Sequence, residues 1–393
     1  MKLPIAKPFI TEEEFELIKQ PLETGWVVQG PFVKEFEQKI AEFTGAKYAV
    51  ALNSCTSGQF IMSEIIGVDT GDEVILPAFT WISTANSIEY FGGKPVFCDI
   101  DIQTFNIDVN QIETKINSQT KAIYPVTLFG LTPDMSFIQS IAQKRSLKIV
   151  EDCACGLGGK MNDTHCGLFG EGGVLSFHPR KSITTGEGGM IITNSEQVYR
   201  TACMLRDHGA VKGDYDRHKG IKSFEMTEYP ILGHNLRMTD LQGAVGVAQS
   251  KKIEDILNRK KNLVKTFNDS LSDIDWLLKP YVPNGYSHGY QTYCTLFKPE
   301  ETINAIAHED KAKIDKLHEE RNEVMEALEK KGVITRPGTH AVHIQKYYQN
   351  KYQIHPMDFP NAYAADRLSL ALPFYPTMTD EEVGYLFKTL KNI

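Results

Sequence analysis

Between residues 46 and 195, short β-branched or aromatic runs alternate with segments of helical period, and this alternation limits what the chain can fold into more than any other feature. Strands separated by helices pair in parallel, because the chain must cross back along the sheet before the next strand can start in the same direction. The strand-like runs are Tyr48–Leu52, Glu73–Pro77, Lys94–Cys98, Ala122–Val126, Lys148–Glu151, Gly173–Phe177 and Met190–Thr193. Helical spacing falls on Thr56–Ile66, Trp81–Phe91 and Met135–Ser146. The expectation is an α/β fold with a mostly parallel sheet, whose ligand site lies at the carboxyl ends of the strands.

Residues Thr239 to about Leu271 read as one long helix, started by Thr239-Asp240 as N-cap, with Leu241, Val245, Ala248, Ile253, Ile256 and Leu257 at helical spacing. Beyond it, Trp276–Phe297 looks strand-rich, and the polar stretch Glu300–Lys331 reads as one helix or as a helix preceded by a mobile loop. With 393 residues there is room for two domains. The expected organisation is an N-terminal segment 1–20 packed on the rest, a large domain over 21–250 and a smaller C-terminal α/β domain over 251–393.

Lys+Arg 42 against Asp+Glu 50 gives a net charge of −8, which disfavours a nucleic-acid-binding surface. Cys55, Cys98, Cys153, Cys155, Cys166, Cys203 and Cys294 form an odd set without zinc-site spacing, so neither a disulfide framework nor a metal site is expected. Prolines and lysine interrupt the first eight residues, and no run approaches the ~20 apolar residues of a spanning helix. A cytoplasmic enzyme without a membrane partner is the expectation.

Four short segments carry chemistry, each ending a predicted strand. In Asn53-Ser54-Cys55-Thr56-Ser57-Gly58 a strand meets hydroxyl-bearing residues that open a helix, where free N–H groups and the helix dipole bind phosphate; a plain N-cap would use the same residues. Pro77-Ala78-Phe79-Thr80-Trp81 delivers a tryptophan that can stack on a flat heterocycle or simply join the core. Lys148–Asp152 ends in two acids, one of which could pair with a pyridinium nitrogen, or cap a loop. Ser176 to Gly189 is a loop of small residues with Lys181 near its tip, a place for a lysine that attacks an aldehyde; Arg180 beside it would lower the lysine pKa.

In this order and spacing the four segments resemble the DegT/DnrJ/EryC1/StrS family of pyridoxal-phosphate (PLP) sugar aminotransferases, of the aspartate-aminotransferase-like fold type I. Further matches are Trp26–Glu37, Gly71–Ile75, Lys94–Phe97 with Asp99–Asp101, Leu205–Gly209, Gly233–Met238 and Leu372-Pro373, so the resemblance covers nearly the whole chain. It implies a large, mostly parallel seven-stranded sheet domain and a smaller C-terminal domain. It also implies that Lys181 bonds the cofactor aldehyde, Asp152 partners the pyridine nitrogen and Trp81 stacks on the ring. Thr56, Ser57 and Ser176 would hold the phosphate, and Asn235 would reach the phosphate in a neighbouring subunit, which implies a homodimer. Arg237, on the same loop, would meet a substrate carboxylate, and His340 would contact substrate.

Cys155 stands where relatives usually carry Gln or His against the cofactor's phenolic oxygen, and a thiol bonds that oxygen more weakly. Cys55 stands where many have Gly, and residues 300–329 and 335–343 also depart from the commonest members. The activity implied is transfer of an amino group from L-glutamate to a nucleotide-activated keto-deoxy sugar for surface polysaccharide, by way of pyridoxamine phosphate (PMP). Alternatives are a smaller phosphorylated ketone as acceptor, a sugar dehydratase, and a non-catalytic PLP-binding regulator. Three other patterns read as decoys. His340 and His343 could share a helix face but lack a third metal ligand. His318–Asn322 imitates HExxH without its second His and reads as a solvated helix face, while Gly156-Leu157-Gly158-Gly159 reads as a turn.

Overall fold

The computed structural model describes residues 1–213 and 226–393. Its large sheet contains β1 (Tyr48–Leu52), β2 (Glu73–Pro77), β3 (Lys94–Cys98), β4 (Thr120–Ile123), β5 (Lys148–Cys153), β6 (Gly172–Ser176) and β7 (Gly189–Thr193). Across the sheet the order is β1-β7-β6-β5-β4-β2-β3, with β7 antiparallel to both neighbours and the remaining pairings parallel. Strands β2 and β7 are buried along their whole length, which explains their continuous apolar runs: a parallel sheet covered on both faces has no solvent side to alternate with.

Six of the seven strands therefore end at one edge, and β7 starts there. The helix α1 (Glu12–Thr24) and α2 (Pro31–Thr44) precede the sheet, while α3 (Cys55–Ile65) and α4 (Ser83–Glu89) start at that edge. Helix α3 lies so close to the sheet that a Cβ on Gly58 would sit 2.5 Å from Val174 Cγ1, which admits only glycine.

The expected single helix from Thr239 is two, α5 (Asp240–Ser250) and α6 (Ile253–Ser270). Thr239 does cap the first, accepting from Gln242 N–H in a capping box. The break falls at Lys252, whose ψ of 2° leaves the helical region and whose ammonium pairs with Glu14 and donates to Thr11 Oγ1 at 2.9 Å. Tethering to the N-terminal segment thus ends one helix and turns the next. The polar stretch is likewise neither one helix nor a loop and a helix. It forms α7 (Pro299–Ala307) and α8 (Lys311–Lys330), separated at Glu309 (φ 49°), with Asp310 capping α8 through Lys313 N–H.

A small antiparallel sheet, β8 (Leu277–Leu278), β9 (Tyr293–Phe297) and β10 (Ser369–Leu372), backs these helices. The two sheets are not separate bodies: Phe79, Phe129, Cys294, Leu296, Val342 and Ala362 belong to one buried cluster. The N-terminal Leu3 pairs with Val333, and α1 reaches α5 through Gln249 Nε2, which donates to Glu14 Oε1 at 2.6 Å. No helix among the described residues is long and apolar enough to cross a membrane.

Candidate active site

The carboxyl edge of the sheet assembles the predicted residues from separate strands. At the end of β1, Ser54 caps α3, its Oγ accepting from Ser57 N–H at 3.1 Å, so the plain capping role is realised. That bond uses one of the first-turn donors; Cys55 and Thr56 head the same turn, where a helix has no intrahelical acceptors to offer. Ser57 Oγ donates to Asn53 Oδ1 at 2.6 Å, so its hydroxyl proton is also taken within the turn and turns to a phosphate only by leaving Asn53. Thr56 is exposed, and Ser176, half-buried at the end of β6, lies across from Gly189 in the sheet register. A Cβ on Gly189 would lie 2.4 Å from Cys55 N, so β7 abuts this turn directly.

Alternation along β5 separates its two acids. Glu151 turns away and accepts from Gly167 and Phe169 N–H, both at 2.7 Å; burial lifts its pKa to about 8. Asp152 turns to the edge, only 4% exposed, and accepts from Thr84 Oγ1 at 2.6 Å and Ala154 N–H at 3.0 Å. Burial raises its pKa against the pull of those bonds and of Lys181. A carboxyl in this condition gains most from a cationic partner. Thr84, in the first turn of α4, also faces the Trp81 carbonyl at 3.1 Å, so one side chain fixes the acid and the aromatic together. Trp81 itself is 57% exposed and is not a core residue.

Lys181 Nζ donates to Cys155 Sγ at 3.2 Å. Burial alone would lower the lysine pKa, but Cys155, Cys55 and Asp152 around it outweigh burial and hold it above its ordinary value. The expected lowering by Arg180 does not occur, because the acids facing Lys181 dominate. His340 arrives from the C-terminal half: the strand His340–Ala341 pairs with Phe79–Thr80, which sets the His340 ring 5.7 Å from Trp81. His340 and His343 therefore share no helix face. His343 is buried, its Nε2 facing the Pro356 carbonyl at 3.0 Å. Nor is His318–Asn322 a solvated face, since Arg321 is 2% exposed and His318 Nδ1 faces the Arg367 carbonyl at 2.9 Å.

Asn235 and Arg237 run beside the end of β1, where Asn53 N–H donates to the Leu236 carbonyl at 2.9 Å. Asn235 is exposed, whereas Arg237 is engaged by Asp207 at 2.5 Å. Both lie beside the turn that opens α3, and neither hydrogen-bonds Lys181 or Asp152 among the described residues. Sequence reasoning missed Thr84, whose signal was its position three residues after Trp81 on a helix. It also missed Gln59, a polar residue on the inward face of α3 beside Ile61 and Met62.

Gln59 tests the fit of a flat phosphorylated heterocycle. Its amide is 2% exposed, close enough to Asp152 to favour the carboxylate, yet neither amide atom has a partner at hydrogen-bond distance. A buried amide left so costs about 1–3 kcal/mol, which closer engagement with Asp152 or with a polar ligand would offset. An uncovered indole, a buried acid, a lysine and a helix N-terminus are the donor set that PLP needs, and the residues fit it.

The DegT/DnrJ/EryC1/StrS aminotransferase family model matches residues 8–391. The chain is 34% identical over 392 residues to the spore coat polysaccharide biosynthesis protein SpsC of Bacillus subtilis, covering 100% of this chain and 97% of that one. Among solved structures, Spr1654 of Streptococcus pneumoniae in its PMP form is 26% identical with a TM-score of 0.88, covering 100% and 97% of the two chains. The aminotransferase of Psychrobacter cryohalolentis is also 26% identical, with a TM-score of 0.87 over 98% and 97%.

Proposed function

Because the chain belongs to the DegT/DnrJ/EryC1/StrS aminotransferase family and is a PLP-dependent transaminase of fold type I, we propose that it moves the amino group of L-glutamate to the keto group of a nucleotide-activated keto-deoxy sugar for surface polysaccharide. The observation that carries the assignment of chemistry to this edge is Lys181 Nζ, half-buried and donating to Cys155 Sγ at 3.2 Å, with the Cys55 thiol and the Asp152 carboxyl next around it. The acceptor class is supported by full-length similarity to a protein named for spore coat polysaccharide biosynthesis.

PLP, when bound, supplies an electron sink that accepts the amino group from one substrate and returns it to the next. Lys181 would hold its aldehyde, and the Nζ, once free, would be the group placed to hold and move a proton there. Asp152 would hold the proton on the ring nitrogen, with Thr84 Oγ1 donating to the carboxylate and fixing its rotamer. Thr56, Ser57 and the first turn of α3 bind phosphate, joined by Ser176. Trp81 would cover one face of the ring against water, and His340, beside Trp81, would border the acceptor. Cys155 would face the cofactor's phenolic oxygen. Asn235 reaches the phosphate site of a second copy, which makes the working unit a homodimer. Arg237 meets a substrate carboxylate only by leaving Asp207.

The test has two parts. PLP-loaded protein mixed with glutamate alone should lose its visible cofactor band and release 2-oxoglutarate. The PMP-loaded protein should then regain the band with nucleotide-linked 4-keto or 3-keto sugars. Recovery with small phosphorylated ketones instead would move the acceptor to that class, and an unchanged band with glutamate would overturn the donor.

A further inference from the structure

Lys260 is a buried lysine that reaches the loop carrying Lys181. It lies on α6, 3% exposed, in the stripe Ile253, Ile256, Lys260, Val264 and Phe267 that faces the core. Its Nζ donates to Ser182 Oγ at 3.2 Å, and Ser182 is the neighbour of Lys181. The Phe374 ring lies 5.9 Å from Nζ, at the outer limit of a cation–π contact. Among the described residues no carboxylate comes within ion-pair distance. An ammonium has three protons to donate, and here a single neutral hydroxyl receives one.

The groups facing Lys260 are few. From the 288–290 segment comes His288, whose Nδ1 accepts from Tyr290 N–H at 2.8 Å and whose ring stacks on Tyr290 at 3.9 Å. His288 is held neutral, its pKa driven to about 3 by burial and by the Lys260 charge. From the loop after β5 comes Cys155, the one acidic group that draws a proton toward Lys260. Cys155 itself receives the Lys181 hydrogen bond, so the thiol that Lys181 touches is also the one whose charge acts on Lys260. Lys181 in turn faces Cys155, Cys55 and Asp152, with His178 on its own loop. An unpaired buried cation opposes folding, and α6 could carry a leucine there.

We propose that Lys260 is a positioning residue for the reaction at Lys181: its cation, fixed behind Ser182 and Cys155, lowers the proton affinity of the nitrogen that Lys181 shares with the cofactor, while the Ser182 bond fixes the loop. The inference rests on Lys181 as the residue that bonds PLP. It assigns to a charge on α6 part of the tuning that a Gln or His in place of Cys155 would supply by hydrogen bonding. Burial lowers the Lys260 pKa to about 8, so the group is charged at neutral pH and loses that charge in mildly alkaline solution.

The test titrates the visible band of PLP-loaded protein between pH 5.5 and 10 in the wild type, K260M, K260Q, K260R and S182A. Removing a nearby cation makes the remaining proton harder to lose, so K260M and K260Q should raise the apparent pKa of the band by on the order of one pH unit. K260R should keep the wild-type value, and S182A, which retains the charge, should shift less than K260M. An unshifted band in both neutral variants overturns the proposal, as does an equal shift in S182A, which would mean loop geometry alone. Should the neutral variants not load PLP, normal loading by K260R supports the charge and failure of all three overturns it. The K181A protein keeps the two assignments apart: with its band lost and K260M unshifted, only the role of Lys260 falls.

Discussion

Two side chains on adjacent positions of β5 show how much a single residue's surroundings decide. Glu151 and Asp152 are both buried acids, but alternation sends the first into backbone N–H groups and the second to Thr84 and the site edge. Asp152→Asn keeps the size and the Thr84 contact while removing the charge. Its turnover should fall about 10²-fold or more in single-turnover kinetics, with the fold unchanged by circular dichroism; turnover within twofold of wild type would remove the role. Lys260 permits a stability prediction with a definite sign. Its pKa of about 8 lies below the ordinary 10.5, so below pH 8 the folded chain carries a charge it holds less well than the unfolded chain does. That costs about 3 kcal/mol. Between pH 8 and 10.5 the unfolded chain alone keeps the proton, and the cost fades as pH rises. K260M should therefore exceed wild type in urea stability at pH 7 by up to about 3 kcal/mol, with the gap closing toward pH 10.5. A less stable K260M at pH 7 would count against an unpaired charge.

At the scale of elements, α3 is held to the sheet edge by what it lacks. Gly58→Val would drive a side chain into Val174 Cγ1 and Leu52 Cδ1, which lie 2.5 and 3.2 Å from the position of its Cβ. The expected loss is about 1–3 kcal/mol of stability. Because α3 carries the proposed phosphate turn at its N-terminus, PLP affinity should weaken as well, measured by urea midpoint and by cofactor titration. Stability lost with full affinity retained would separate the turn from the phosphate. Strand and turn pieces at this scale were legible in the sequence: Tyr48–Leu52, Glu73–Pro77 and Lys94–Cys98 stand where their apolar runs placed them. Helix breaks were not, since α5 and α6 are parted by Lys252 pairing with Glu14 and Thr11, contacts more than two hundred residues apart.

For the whole molecule, the shared cluster of Phe79, Phe129, Leu296, Val342 and Ala362 joins both sheets. The halves should therefore unfold together, with tryptophan fluorescence (Trp26, Trp81, Trp276) and far-ultraviolet circular dichroism giving coincident urea transitions. Two separated transitions would show that the two halves fold independently. PLP, binding the folded chain alone, should move both midpoints upward together.

The candidate residues Lys181, Asp152, Trp81, Thr56 and Ser57 were legible because each sits at a strand end within a short motif, and strand ends follow from local periodicity. The chain's own order therefore determined the α/β class and the strand ends that bring Lys181 and Asp152 to one edge. Only the folded molecule decided that His340 stands beside Trp81, that Arg237 is taken by Asp207, and that Thr84, Gln59 and Lys260 complete the surroundings. The reason is physical: periodicity reports which face of an element is apolar, but which partner that face meets is settled by packing between residues far apart in the chain. A lysine in an apolar stripe acquires a meaning only when its neighbours across the interface are known.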